Sequence, residues 1–263
     1  MNSTSINWTD RTWNPVGGCE KVSEGCQNCY AESIAEKFRG GKAFPDGFGL
    51  TLRPHKLSEP LRLRTPSLIF VNSMSDLFWE QIPDTYRDRM FDIIEQTPRH
   101  EYQVLTKRPE KMLAYAERRG TPYPANFWAG VTIESNRHVS RADTLRQVPA
   151  SLRFISAEPL LSSLPDLDLT GINWVITGGE SGLHLRDSVL CTRRGLVEHR
   201  DGRWHLRDDR LPWLRAIRDQ CAAAGVAYFH KQHGGPRPES AGRSFDEQTY
   251  DAWPRHPNHR KLA

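Results

Sequence analysis

Six short apolar runs punctuate the chain: "SLIFVNS" (67–73), "YQVLTK" (102–107), "FWAGVT" (127–132), "RFISAE" (153–158), "NWVITGG" (173–179) and "VAYFHK" (226–231). They are rich in β-branched and aromatic residues and close to continuous, the pattern of strands buried on both faces. Between them the period lengthens. "DTYRDRMFDIIEQ" (84–96) places Tyr86, Met90, Phe91 and Ile94 on one helical face. Ser135 is placed to cap a second helix with the stripe Val139, Ala142 and Leu145. A third covers about 210–224 and stops at Gly225. With "SINWT" (5–9) as a first strand, the pattern predicts about seven βα units, an α/β fold with a helix-covered parallel sheet. No linker or low-complexity segment divides the chain. The expectation is one domain over 1–263, with a cysteine-bearing loop at 14–30, an insertion at 183–209 and a tail at 236–263.

The strand ends carry a second signal. They read "NSMSD" (72–76), "TKRPE" (106–110), "TIES" (132–135), "AEP" (157–159), "GGESG" (178–182) and "HKQHGG" (230–235). In α/β barrels the active site collects at the C-terminal ends of the strands. Asp76, Lys107, Glu134, Glu158, Glu180 and Lys231 are therefore expected around one mouth. The alternative for each is an ordinary ion pair at a barrel rim.

"GGCEKVSEGCQNCYAE" adds candidate chemistry, with Cys19, Cys26 and Cys29 inside eleven residues. Cys191 and Cys221 stand apart. Three readings compete. One is structural zinc, completed by a distant fourth ligand. Another is three unligated core cysteines. The third is a [4Fe–4S] cluster with thiolates on three irons and the fourth iron open to an exchangeable ligand. If that ligand is S-adenosylmethionine (SAM), one electron breaks its C–S bond and yields a 5′-deoxyadenosyl radical.

Composition narrows the class. Hydrophobic residues are 37% of the chain, charged residues 26%, and there are eight tryptophans, which argues for a globular protein and against disorder. "MNSTSINWTD" lacks a secretory pattern, and no apolar run approaches a membrane span. An odd, crowded cysteine set suits a reducing cytoplasm, with no membrane partner. The net charge of +4 is uneven: seven Lys/Arg face two acids over 37–64, and nine Arg face five acids over 186–218. Such stretches fit a phosphate-bearing partner or a solvated surface.

"INWTDRTWNPVGGCEKVSEGCQNCYAE", "FVNSMSDLFWE", "VLTKRPE", "WAGVTIES", "ISAEPLL", "VITGGESG" and "YFHKQHGG" together resemble a phage-associated three-Cys-motif family of radical SAM enzymes. The resemblance implies a partial (β/α) barrel of about six to seven parallel strands, with Cys19, Cys26 and Cys29 as ligands of a [4Fe–4S] cluster. It also implies SAM as cofactor and a reducing partner such as flavodoxin or ferredoxin. The location would be the cytoplasm of a bacterial host, if phage-encoded. The first spacing is six residues rather than the usual three, and Asn28 stands where an aromatic residue is common. Tyr30 is placed to cover the cluster instead.

SAM presents an ammonium, a carboxylate, a ribose diol and an adenine. Glu134 or Glu180 would suit the ammonium or ribose, and Gly178 and Gly179, with Ser181 beside them, allow close backbone approach. Ser73 and Asp76 suit either role, and Lys107 and Arg137 suit a carboxylate. Lys107, Glu158 and Lys231 are the candidates for catalysis. In the insertion, two short runs flank Asp201-Gly202, the signature of a tight hairpin. Arg193, Arg194, His199 and Trp204 there would read a nucleic acid or modified nucleotide through phosphate contacts and stacking. The insertion and the basic stretch 37–64 are expected to border the mouth. The resemblance further implies hypermodification of phage DNA, with an amino-acid adduct on thymine isomerised from an N-linked to a C-linked glycyl group. The alternatives are another radical reaction on DNA or tRNA, such as methylthiolation or photoproduct repair, and a non-catalytic metal-binding partner module. Oligomeric state is left open.

Overall fold

In the computed structural model, which describes residues 1–255, the parallel part of the main sheet begins at Arg11, later than the sequence pattern suggests. The opening strands are β1 (Asn2–Ser3) and β2 (Arg11–Trp13). "SINWT" between them turns, with the Thr9 amide donating to the Ile6 carbonyl at 3.3 Å. Its alternation of apolar residues imitates a strand, but Trp8 is buried between Phe70 and Trp174 as a plug (ring centroids 4.7 and 6.4 Å).

Two short strands, β3 (Val16–Gly17) and β4 (Thr51–Leu52), pair antiparallel. They close the base of an excursion that carries the three cysteines and α1 (Tyr30–Lys37). After α2 (Glu59–Arg62) the chain alternates: β5 (Leu68–Val71), α3 (Asp84–Gln96), β6 (Glu101–Thr106), α4 (Pro109–Arg119), β7 (Phe127–Thr132), α5 (Arg141–Gln147) and β8 (Leu152–Ala157). Next come β9 (Trp174–Gly178), α6 (Ser188–Arg194), the hairpin β10 (Val197–Arg200) and β11 (Arg203–Leu206), α7 (Leu211–Ala224) and β12 (Ala227–Gln232). The main sheet runs β1-β2-β5-β6-β7-β8-β9-β12, all parallel except the edge strand β1. The result is a seven-stranded parallel half-barrel. Helix α7 ends at Gly225, whose positive φ of 66° closes the last turn.

Strand period two sorts the side chains into two sets. One face, with Ile69, Val71, Val104, Val131, Ile155 and Val175, packs on the helices, where Tyr86, Met90, Phe91 and Ile94 of α3 meet it as the pattern predicts. The concave face is apolar only at its base, where Trp8, Phe70, Trp128, Phe154, Trp174, Ile176 and Phe229 cluster. Beyond that plug the same strands present polar residues.

Two sequence expectations change here. Ser135 begins a 3-10 turn, and its hydroxyl donates to Glu24 (2.5 Å) in place of capping a helix. The basic stretch 37–64 does not lie as one band at the mouth. Arg99, at the base of β6, donates to the carbonyls of Pro60, Leu61 and Leu63 (3.1, 3.1 and 2.9 Å), which holds the α2 segment at the N-terminal end of the barrel. The expected tail, 236–263, is described only to Arg255, and residues 256–263 lie outside the described residues. No helix among the described residues is long and apolar enough to cross a membrane.

Trp174 touches Trp8, Trp128, Phe154, Phe229 and Trp253 at centroid distances of 4.9–6.4 Å. Trp174→Ala should cost about 3–5 kcal/mol in urea unfolding, the range for a large buried aromatic residue. A loss below about 1 kcal/mol would show that the plug does not hold the half-barrel together.

Candidate functional site

The cysteines sit on a loop with little apolar packing of its own. All three thiols are partly exposed. Gly18 passes so close to the next segment that a Cβ there would lie 2.1 Å from the Gly49 carbonyl, and its φ is +88°. The Gly18 and Cys19 amides donate to Met74 and Phe48 (3.1 and 3.3 Å). Cys29 precedes the first turn of α1. Tyr30 donates from its hydroxyl to the Ser73 carbonyl at 2.5 Å, which places its ring along the loop.

Three carboxylate–arginine pairs from the strand ends grip this loop. Glu134, two residues beyond β7, is fully buried and accepts from Arg141 at 2.7 Å. It also accepts from the Ser23 hydroxyl and, at 3.4 Å, from the Gly25 amide. Burial pushes its carboxyl up, but Lys107, Arg141 and Ser23 outweigh burial and hold it below the usual range. Glu180, two residues beyond β9, accepts both forks of Arg194 at 2.7 Å and Asn28 at 3.4 Å. Arg194 continues to the Gln27 side chain (2.9 Å) and the Glu24 carbonyl (3.0 Å). Asp76 accepts from Thr106, the amides of Phe78 and Lys107, and Arg108 (2.7, 3.0, 3.1 and 3.3 Å). Arg108 then reaches Cys19 Sγ at 3.7 Å and the Glu20 carbonyl at 3.1 Å.

These contacts sort the sequence candidates. Asp76, Glu134 and Glu180 do converge on the cysteine loop, with their oxygens already engaged by the protein. Lys107, Glu158 and Lys231 are less occupied. Lys231 and Glu158 pair at 3.1 Å and are half-buried, and Ser156 donates to Glu158 at 3.2 Å. Gly178 makes room for this pair, since a Cβ there would lie 2.6 Å from Glu158 Oε1. Gly179 lies against the His233 carbonyl, Ser181 accepts from Gln232 at 3.4 Å, and Ser73 exchanges hydrogen bonds with Asn14. Arg137 is exposed on the 3-10 turn.

In the insertion, Arg193 is exposed and its neighbour Arg194 is buried against Glu180. His199 and Trp204 face one another across the hairpin at 5.1 Å. Beside them opens a cleft of about 680 Å³ lined by Arg186, Ser188, Thr192, His199, Trp204 and Arg207. Arg186 and Trp204 also border a second cleft, of about 370 Å³, whose far wall is Pro236, Arg237, Pro238 and Ser240. Cys191, in the wall of the larger cleft, and Cys221, on α7, are both buried, and burial pushes the Cys221 thiol up to about 12. Sequence reasoning gave no role to Ser23 and Arg108, although both lie inside quoted stretches, or to Arg141, which lies in none.

Three thiols on one loop are a donor set that would suit three irons of a polynuclear cluster. Zinc–thiolate bonds of about 2.3 Å require sulfurs about 3.8 Å apart. Among the described residues, the group of three ligand atoms lying within 4.8 Å of one another is Glu24, Glu134 and His138, not the cysteines. That group is already satisfied: His138 and Ser135 contact Glu24 at 2.9 and 2.5 Å, and Arg141 holds Glu134.

Arg194→Ala would leave the Glu180 carboxylate buried without its partner, a change that typically costs about 3–5 kcal/mol. We expect that loss in urea unfolding, with faster amide hydrogen exchange across 24–28. Unchanged exchange there would show that the pair does not hold the loop.

Comparison with known proteins bears on the fold and the family. No curated protein matches the sequence. A structure of spore photoproduct lyase complexed with dinucleoside spore photoproduct is similar, at 12% identity and a TM-score of 0.51, over 83% of this chain and 75% of that one. Two structures of variants of the same lyase match at 11% identity over the same shares, with TM-scores of 0.51 and 0.50. At this identity the likeness establishes the half-barrel fold. A family model matches residues 3–191 and 202–254, leaving between its two parts the segment with Arg193, Arg194 and His199. The chain therefore belongs to the family described as Protein of unknown function (DUF5131).

Proposed function

We propose that this chain is a radical SAM enzyme acting on a nucleic-acid base. The observation that carries the reading is the placement of Cys19, Cys26 and Cys29 together on a loop at the C-terminal mouth of a half-barrel. Their thiolates would hold three irons of a [4Fe–4S] cluster. When bound, the cluster supplies the electron that splits SAM into methionine and a 5′-deoxyadenosyl radical, and a one-electron donor of the flavodoxin or ferredoxin class restores it. The protein's own work is to bind, orient and exclude water. Lys107, Glu158 and Lys231 offer charge of both signs to the carboxylate and ammonium of SAM or to polar atoms of the substrate. Asp76, Glu134 and Glu180 keep the loop in place.

The substrate side is read from the insertion. Trp204 and His199 offer faces for stacking, and the exposed cations Arg186 and Arg237 line the clefts beside Trp204, with Arg193 exposed on α6. The finer reading is isomerisation of an amino-acid adduct on thymine, begun by hydrogen abstraction from the glycyl α-carbon. A second reading is repair of linked bases, favoured by the likeness to a lyase solved with a dinucleoside photoproduct.

Purified without oxygen, the protein should carry about four irons per chain, the content of a cubane cluster. It should release 5′-deoxyadenosine from SAM. Cys19→Ala, Cys26→Ala and Cys29→Ala should each abolish that release, whereas Cys191→Ala should not. Stoichiometric zinc with no iron would sink the reading. Binding of single-stranded DNA should weaken steeply with salt, and Trp204→Ala should weaken it by about 1–3 kcal/mol while uncoupled SAM cleavage persists. Salt-independent binding of a small metabolite, with no nucleic acid bound, would leave the radical chemistry standing and remove this substrate.

A further inference from the structure

Arg108 is the one arginine of the three loop-gripping pairs that reaches a cysteine sulfur. Its side chain is 7% exposed and uses every nitrogen. Nη1 faces Cys19 Sγ at 3.7 Å and Asp76 Oδ2 at 3.3 Å, Nη2 donates to the Glu20 carbonyl at 3.1 Å, and Nε meets Glu80 at 3.2 Å. Four acceptors arranged around one planar fork are a demand that a lysine ammonium, a point charge on a flexible stem, does not meet. Cys26 has the Ser23 hydroxyl, at 3.8 Å, as its polar neighbour, so the three sulfurs are not equivalent.

We infer that Arg108 is a positioning residue which, through its contact with the Cys19 sulfur, makes a bound cluster easier to reduce. This rests on the radical SAM reading above. The physical argument is electrostatic. Adding an electron to a thiolate-ligated cluster adds negative charge in a partly buried place. Asp76, on the same side, opposes that addition. A guanidinium donating to the ligating sulfur draws off charge and favours the reduced state, and hydrogen bonds to sulfur and local net charge are among the terms that set cluster potentials. The same contact orients the ligand, as outer-shell partners commonly do.

Removing Arg108 alone would strand Asp76, so the informative comparison is Asp76→Asn against Asp76→Asn/Arg108→Gln, both reconstituted anaerobically. Both should take up the wild-type iron content. In an EPR-monitored redox titration the double variant should be reduced only at a more negative potential than Asp76→Asn. A chelator should strip its iron roughly 10-fold faster, the lower end of the range for lost outer-shell contacts. Asp76→Asn/Arg108→Lys should fall between the two. A midpoint unchanged or moved positive would overturn the inference. Failure of the double variant alone to take up iron would also overturn it, because Arg108 would then be needed to assemble the site and not to set its potential. Absence of iron from the wild-type protein would instead fail the radical SAM reading itself, and this inference with it.

Discussion

A loop that buries few of its own side chains has no apolar mass with which to hold itself. That constraint organises this protein. The excursion between Gly18 and Leu50 buries few side chains, and α1 contributes only Ala31 and Ala35 to the interior. The loop is fixed from outside, by Asp76–Arg108, Glu134–Arg141 and Glu180–Arg194. Each pair stands at the end of a parallel strand and touches a different part of the loop: Cys19 and Glu20, Ser23 and Gly25, and Glu24, Gln27 and Asn28. Buried ion pairs of this kind add little net stability over well-packed apolar residues, yet breaking one is costly. Their value here is geometric, since they specify where a loop sits without covering it.

The half-barrel makes this possible through a division along each strand. On β7, the concave face reads Trp128, Gly130, Thr132 and then Glu134, from apolar base to polar mouth. Gly130 leaves room for the Phe154 ring, which would lie 2.2 Å from a Cβ there. On β8 the series is Phe154, Ser156, Glu158. The aromatic plug around Trp174 fixes the base, so strand-end groups are presented on a rigid frame. The insertion is tied to the same frame because Arg194, at the end of α6, belongs to the Glu180 pair. The element bearing Trp204 and the loop bearing the cysteines thus share one buried contact.

Much of the fold was legible because six strands are continuous apolar runs and their order along the chain is their order in the sheet. "SINWT" misled because Ile6 and Trp8 alternate like strand residues while serving as a plug. The basic stretch 37–64 misled because nearness in sequence does not show that the chain descends to the base of the barrel by Pro60. At the site, the carboxylates were legible from their position after each strand. Their partners were not. Arg193 and Arg194 are chemically identical neighbours, and helix phase alone, a turn of about 100° per residue, sends one to solvent and the other to Glu180. Arg108 and Arg141 lie at the starts of helices, where an arginine reads as surface charge.

On the proposed radical SAM reading, the three thiolates each hold a separate iron and leave a fourth open at the mouth. Electron–nuclear double resonance on the reduced protein, with SAM labelled by nitrogen-15 at its amino group and oxygen-17 at its carboxylate, measures this directly. The account predicts hyperfine coupling from both labels to the cluster, which requires the amino acid end of SAM to sit on the open iron. A cluster spectrum indifferent to labelled SAM would contradict it.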